Sequence, residues 1–142
     1  MILAQAFGIA VFFGLIYYAL KSNAHMWSLV AADYAAKQGL PPAIASKAWE
    51  DVVIAGSGVL KFRKYLPLTV RIHETGLSLT ALAPLAPIQP TLFLPFEDIA
   101  VRPTYWYINA ESYALRLAGL NEPEIIVHDR LMDWLRANCE HF

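Results

Sequence analysis

Met1 to Leu20 form an apolar run with no charged side chain and one strongly polar one, Gln5, and Lys21 follows at once. A bilayer core of about 30 Å needs about 20 helical residues at about 1.5 Å each. An isolated segment in lipid must pair its own backbone, so a helix is the form open to it. Residues 1–21 are therefore expected to be a single transmembrane helix, with Tyr17 and Tyr18 in an aromatic belt and Lys21 reaching the headgroups. A cleaved signal peptide would carry a basic stretch before the run and a small-x-small site after it. No Lys or Arg precedes this run, and Ala19 followed by Lys21 makes a poor site. A buried core helix would be shorter and would carry a polar face.

Basic residues near the run lie on its C-terminal side, at Lys21 and Lys37, which favours a cytoplasmic location for the rest of the chain. Ala6, Ala10 and Gly14 recur every four residues, a small-xxx-small face of the kind that lets helix backbones approach in lipid. That face suggests docking of a partner membrane helix; the plain alternative is that Ala and Gly are common in such helices.

Residues 22–47 read as a juxtamembrane linker, with Ser22 or Asn23 capping a second helix that runs to about Gln38. Trp27, Val30 and Tyr34 form its apolar stripe, which should pack on the following domain. Gly39 and Pro41-Pro42 end it, and a short helix over Pro42–Trp49 is expected next. Residues 48–142 then take a strand texture. Expected strands are Val52–Ile54, Gly58–Tyr65, Leu68–His73, Leu77–Ala81, Thr91–Pro95, Ala100–Arg102, Tyr105–Ile108, Tyr113–Leu117 and Glu124–Val127. Leu68, Val70 and Ile72 alternate with Thr69, Arg71 and His73, as in a half-buried strand. Glu74-Thr75-Gly76 reads as a tight turn in which glycine supplies positive φ, and Asp129 as the cap of a final helix, Arg130–Ala137. Short, regularly spaced antiparallel strands predict a mainly β barrel or sandwich, with the last helix plugging one open end.

The hairpin LTVRIHETGLSLTAL (Leu68–Leu82) and the segment TLFLPFEDIAV (Thr91–Val101) resemble bacterial PH-like domains of the GRAM type. The second piece supplies the hydrophobic-Pro-aromatic and acidic-apolar elements through Leu94, Pro95, Phe96, Asp98 and Ile99. The chain also looks like small membrane-anchored bacterial proteins of this layout. The resemblance implies a seven-stranded bent sheet or split barrel capped by the C-terminal helix, and a role in binding lipids or proteins. Lys61, Arg63 and Lys64 on the first strand and Arg71 on the second are candidate headgroup contacts, but their spacing departs from that of headgroup-binding members, a basic-x-Arg before two apolar residues.

Little chemistry is encoded elsewhere. The formal net charge of −1 gives no field for nucleic acid, and the single cysteine, Cys139, excludes an internal disulfide. His25, His73, His128 and His141 stand at no metal spacing, and His73 and His128 read as surface or turn residues. Gly56-Ser57-Gly58 matches neither a phosphate loop nor a nucleophile elbow. Glu50-Asp51 and Glu97-Asp98 read as solvated turn pairs. No catalytic residue, cofactor, metal or small-molecule substrate is expected. Tyr105-Trp106-Tyr107 is the densest aromatic run; alternation sends Tyr105 and Tyr107 to one face and Trp106 to the other, and one of the two faces is a candidate protein interface. The expected function is a non-catalytic accessory or scaffold subunit in the bacterial inner membrane, joined to a larger membrane protein complex. The alternative is a lipid-responsive module that reads anionic headgroups.

Overall fold

The computed structural model describes residues 1–37, 39–56, 63–82, 89–107, 110–120 and 123–142, with positions 19–20, 22–24, 63–66, 106–107 and 110 described by backbone alone. The chain is mainly β: a curled antiparallel half-barrel of seven strands, a long N-terminal helix and a short C-terminal one. The order is α1 (Ile2–Tyr34), β1 (Ala45–Ala55), β2 (Arg63–Ile72), β3 (Gly76–Ala81), β4 (Leu92–Pro95), a 3-10 turn (Phe96–Asp98), β5 (Ile99–Tyr107), β6 (Ala110–Leu117), β7 (Glu124–His128) and α2 (Asp129–Asn138).

In space the strands run β4-β3-β2-β1-β7-β6-β5, so the two edge strands are consecutive in the chain and joined by Phe96–Asp98. Laid flat, six inter-strand steps would separate those edges by about 29 Å. Four residue steps from Pro95 to Ile99 reach about 14 Å at most. The sheet must therefore curl until its edges approach. Pro103 lies on the edge strand β5, where a missing N–H costs no ladder bond, and Pro67 pairs with Asp51 one residue before the β2–β3 ladder begins at Leu68.

The curl encloses one principal core. Val52 and Ile54, Leu68, Val70 and Ile72, Leu77 and Leu79, Leu92 and Leu94, Leu115 and Leu117, Ile125 and Val127 all face it. Met26, Trp27, Val30 and Tyr34 of α1 and Leu131, Met132 and Leu135 of α2 complete it. The expected stripe of Trp27, Val30 and Tyr34 thus does pack on the domain. A smaller cluster, Val53, Ala114 and Ile126, occupies the alternate positions on the other face of the same strands.

Several local expectations are corrected. The helix does not break at Ser22 or Asn23, and α1 is continuous to Tyr34; no Gly or Pro falls between Gly14 and Gly39 to end it. Pro42–Trp49 holds no helix: β1 starts at Ala45, because pairing with β2 overrides the weak strand preference of Ala-Ser-Lys-Ala. The strands expected at Gly58–Tyr65 and Leu68–His73 merge into β2, with 57–62 outside the described residues. Those at Ala100–Arg102 and Tyr105–Ile108 merge into β5. Gly76 does open a tight hairpin, but not through positive φ. A Cβ there would lie 2.5 Å from the Leu94 carbonyl oxygen, so close approach of β4 is what requires glycine. The cap of α2 is His128, whose side chain accepts from Leu131 N–H, one residue before the expected Asp129.

Candidate functional site

The feature that sets this molecule apart is the change of environment along α1. Every described side chain from Met1 to Tyr18 is exposed, including Ile2 at 83%, Phe7 at 72% and Phe13 at 63%. Nine residues on, Trp27 is 1% exposed and Val30 fully buried. The apolar residues of the first half lie all round the helix, whereas the buried ones of the second keep to one stripe, with His25, Ser28, Leu29 and Asp33 exposed beyond it. Among the described residues no helix is long and apolar enough to cross a membrane; the described side chains of the exposed half end at Tyr18, two residues short of the end of the apolar run at Leu20.

Ala6, Ala10 and Gly14 are all exposed, and a Cβ added to Gly14 would meet nothing within 4 Å. At 3.6 residues per turn their face lies about 140° round the helix from the stripe that holds the domain. Gln5, Ile9 and Phe12 fall instead in line with that stripe, around an open hollow at Gly8.

The buried half of α1 is fixed by polar contacts as well as packing. Trp27 Nε1–H donates to the Pro90 carbonyl at 2.8 Å. Tyr34 donates its hydroxyl to Asp98 Oδ2 at 3.2 Å and accepts from Gly119 N–H at 3.1 Å. Burial raises the pKa of this hydroxyl above its ordinary value; the Gly119 N–H works against that, and the Asp98 and Asp33 carboxylates add to it. Just past the helix, Ala35 bridges to Leu92 and Ala36 N–H donates to the Thr91 carbonyl at 2.8 Å, extending the sheet at its β4 edge. The end of α1 thus spans the gap between the two sheet edges. Asp33, Tyr34, Lys37, Phe93 and Asp98 line an open hollow of about 300 Å³ there.

The basic residues do not converge. Arg63 opens β2 and Arg71 stands eight positions further along it, about 26 Å away in an extended strand. Arg71 is half-buried and donates to Thr80 Oγ1 at 3.3 Å. Lys61 lies outside the described residues, and Arg63 and Lys64 are described by backbone alone, opposite Ala55 and Ile54. In the aromatic run, Tyr105 is 90% exposed, while the side chains of Trp106 and Tyr107 lie outside the description.

Three polar residues have roles that sequence reading missed. His73 is buried, not a surface residue: its Nδ1–H donates to the Pro41 carbonyl at 2.9 Å, and its Nε2 accepts from Ser78 Oγ at 2.8 Å. The carbonyl can only accept, which fixes the tautomer. Glu50 is buried in β1 instead of solvated in a turn, 3.0 Å from Lys47 Nζ and 2.9 Å from His128 Nε2. Because His128 Nδ1 accepts from Leu131 N–H, its Nε2 carries the proton that goes to Glu50. Ser112 stands opposite His128 in the β6–β7 ladder. Between Lys47 and Glu50 the β1 ladder is interrupted by a bulge that holds Trp49, 76% exposed with φ of 60°. Its signal in the sequence is faint: a Trp among small and charged residues just before an apolar run.

Among the described residues no group of three or more His, Cys, Asp or Glu side chains is placed to hold a metal ion. Compared with known families and with curated proteins, the chain matches no family model and no curated sequence.

Proposed function

We propose that this chain is a membrane-anchored, non-catalytic accessory subunit whose apolar half-helix lies in the bilayer while its PH-like domain contacts a larger membrane protein complex. The observation that carries this reading is the uncovered apolar half of α1, continuous with a half built into the core. An apolar helix surface of this size has to be covered by lipid or by protein. Counting Ala19 and Leu20, its sequence reaches the length of a span. Lys21 and Lys37 favour a bacterial inner membrane with the domain in the cytoplasm. The Ala6, Ala10 and Gly14 face points away from the domain, which leaves room for a partner helix. The strand order and the C-terminal helix are compatible with a PH-like domain.

The test is extraction of membranes that carry the full chain. The wild type should stay with the membrane in alkaline carbonate. A variant with Ile9→Lys and Phe12→Lys should be released with the same thermal unfolding midpoint, because both side chains are exposed. Release of the wild type would sink the anchor; migration on native gels in mild detergent only as a free monomer would sink the complex.

A second reading is favoured by the position of Arg63. It pairs with Ala55, and the adjoining Gly56 is where an added Cβ would lie 3.3 Å from the Met26 terminal methyl. The start of β2 therefore lies beside the base of the apolar half-helix, where basic side chains meet anionic headgroups at about 1 kcal/mol each. Arg71, at the far end of β2, is too distant to share that role. The Ile9→Lys, Phe12→Lys chain should then bind anionic but not zwitterionic vesicles at low salt; equal binding to both would remove this reading.

A further inference from the structure

The bulge at Trp49 is an unusual way to display a side chain. Two β1 residues, Ala48 and Trp49, oppose the single β2 residue Thr69, between the pairs Lys47–Val70 and Glu50–Leu68. Bulges of this kind re-aim a side chain. Trp49 is the one described non-glycine residue with left-handed φ, a conformation that disfavours a large residue. Nothing in the core rewards it, since the side chain is 76% exposed. The ladder on either side is nevertheless held firmly. Glu50, the next residue, is buried and bound to Lys47 on one side and to His128 on the other. A large aromatic held outward at a strained position, on a rigid polar footing, has the form of a contact residue.

The charge around it says what kind of contact. The Glu50–His128 bond joins the bulge to the β7–α2 junction, so Asp129, the first residue of α2, stands beside it, and Asp133 follows one turn later. Asp51, two residues on in β1, is exposed, as is Asp133, and neither forms an ion pair among the described residues. Against these carboxylates stand Lys47, whose ammonium is taken up by Glu50, exposed Arg130, and half-buried Arg71, two positions from Thr69 on β2 and bonded to Thr80 Oγ1. The surround is net acidic, which repels an anionic membrane surface and suits a cation. An indole face is also the strongest aromatic partner for a cation.

We propose that Trp49 anchors a docking surface for a basic segment of a partner protein, an arginine- or lysine-bearing stretch that lays a cationic side chain on the indole while Asp51, Asp129 and Asp133 hold its flanks. This deepens the accessory-subunit reading by giving the domain its own contact surface. It rests on the domain being a binding module and not on where α1 lies.

The test uses the full chain in zwitterionic detergent micelles, titrated with a labelled tetra-arginine peptide and with tetra-glutamate as control. The arginine peptide should bind, more weakly as salt rises, and tetra-glutamate should not. Trp49→Gly should weaken binding about tenfold or more at an unfolding midpoint no lower than wild type, since φ of 60° suits glycine. Trp49→Phe should keep most of the affinity, and Asp51→Asn with Asp133→Asn should weaken it by about threefold to tenfold. Equal binding by wild type and Trp49→Gly, equal binding of the two peptides, or no binding of tetra-arginine would overturn the proposal. Trp49-dependent binding of the Ile9→Lys, Phe12→Lys chain to anionic vesicles would overturn it in favour of a lipid surface. Carbonate extraction of Trp49→Gly separates this from the anchor reading, since that variant should remain membrane-bound.

Discussion

The two halves of α1 share one backbone, yet one half is uncovered and the other is core. Up to Tyr18 apolar side chains surround the helix. From Met26 the buried ones fall on one stripe, with His25, Ser28, Leu29 and Asp33 exposed outside it. The halves differ in hydrophobicity and also in periodicity. A stripe can be buried by a domain on one side, whereas a fully apolar cylinder needs an apolar surround.

The comparison can be tested by substitution. Trp27→Ala should have the largest effect on domain stability, about 3–5 kcal/mol, read as a lower unfolding midpoint in detergent. Little change there, with a large one for Phe12→Ala, would invert the assignment of the halves. Gly76→Ala should follow at about 1–3 kcal/mol, because the new methyl would press on the Leu94 backbone at the strand edge that receives α1.

Tyr34→Phe should cost about 1–2 kcal/mol through the lost bonds to Asp98 and Gly119. It should also change the pH profile. The folded state raises this pKa above the ordinary 10.0, so the stability tied to the neutral hydroxyl is full below about pH 10 and falls as pH rises through that region. Denaturation across pH 9–11 should show part of that loss in the wild type and less of it in Tyr34→Phe. The smallest effect belongs to Phe12→Ala, within about 0.5 kcal/mol, because the ring touches no part of the domain core.

Much of the fold is legible in the chain because local pattern and global burial agree. The alternation of Leu68, Val70 and Ile72, the hairpin at Gly76 and the stripe of Trp27, Val30 and Tyr34 all appear where periodicity puts them. Where the two conflict, reading fails. Ala45–Ala48 has no strand preference and is made a strand by its neighbour. Lys21-Ser22-Asn23 looks like a boundary, yet no residue there forces the helix to end. Of the candidate sites, the apolar half-helix is visible from composition alone. The burial of Glu50 and His73 and the engagement of half-buried His128 are not, because each is explained by a partner that only the tertiary fold supplies, 78 residues apart for Glu50 and His128. Trp49 is missed for a related reason: a bulge leaves no mark in a hydrophobic pattern.

The span between α1 and its partners also sets an order of assembly. Trp27 waits for Pro90, 63 residues later in the chain, and Tyr34 for Asp98 and Gly119, 64 and 85 residues later. A chain made from its N-terminus completes both halves of the helix before any strand exists to receive the stripe. The hydroxyl that bridges the sheet edges can close its bonds only once Gly119 has emerged. The helix is thus made before the strands that secure it, and its Trp27, Val30 and Tyr34 stay uncovered until those strands follow.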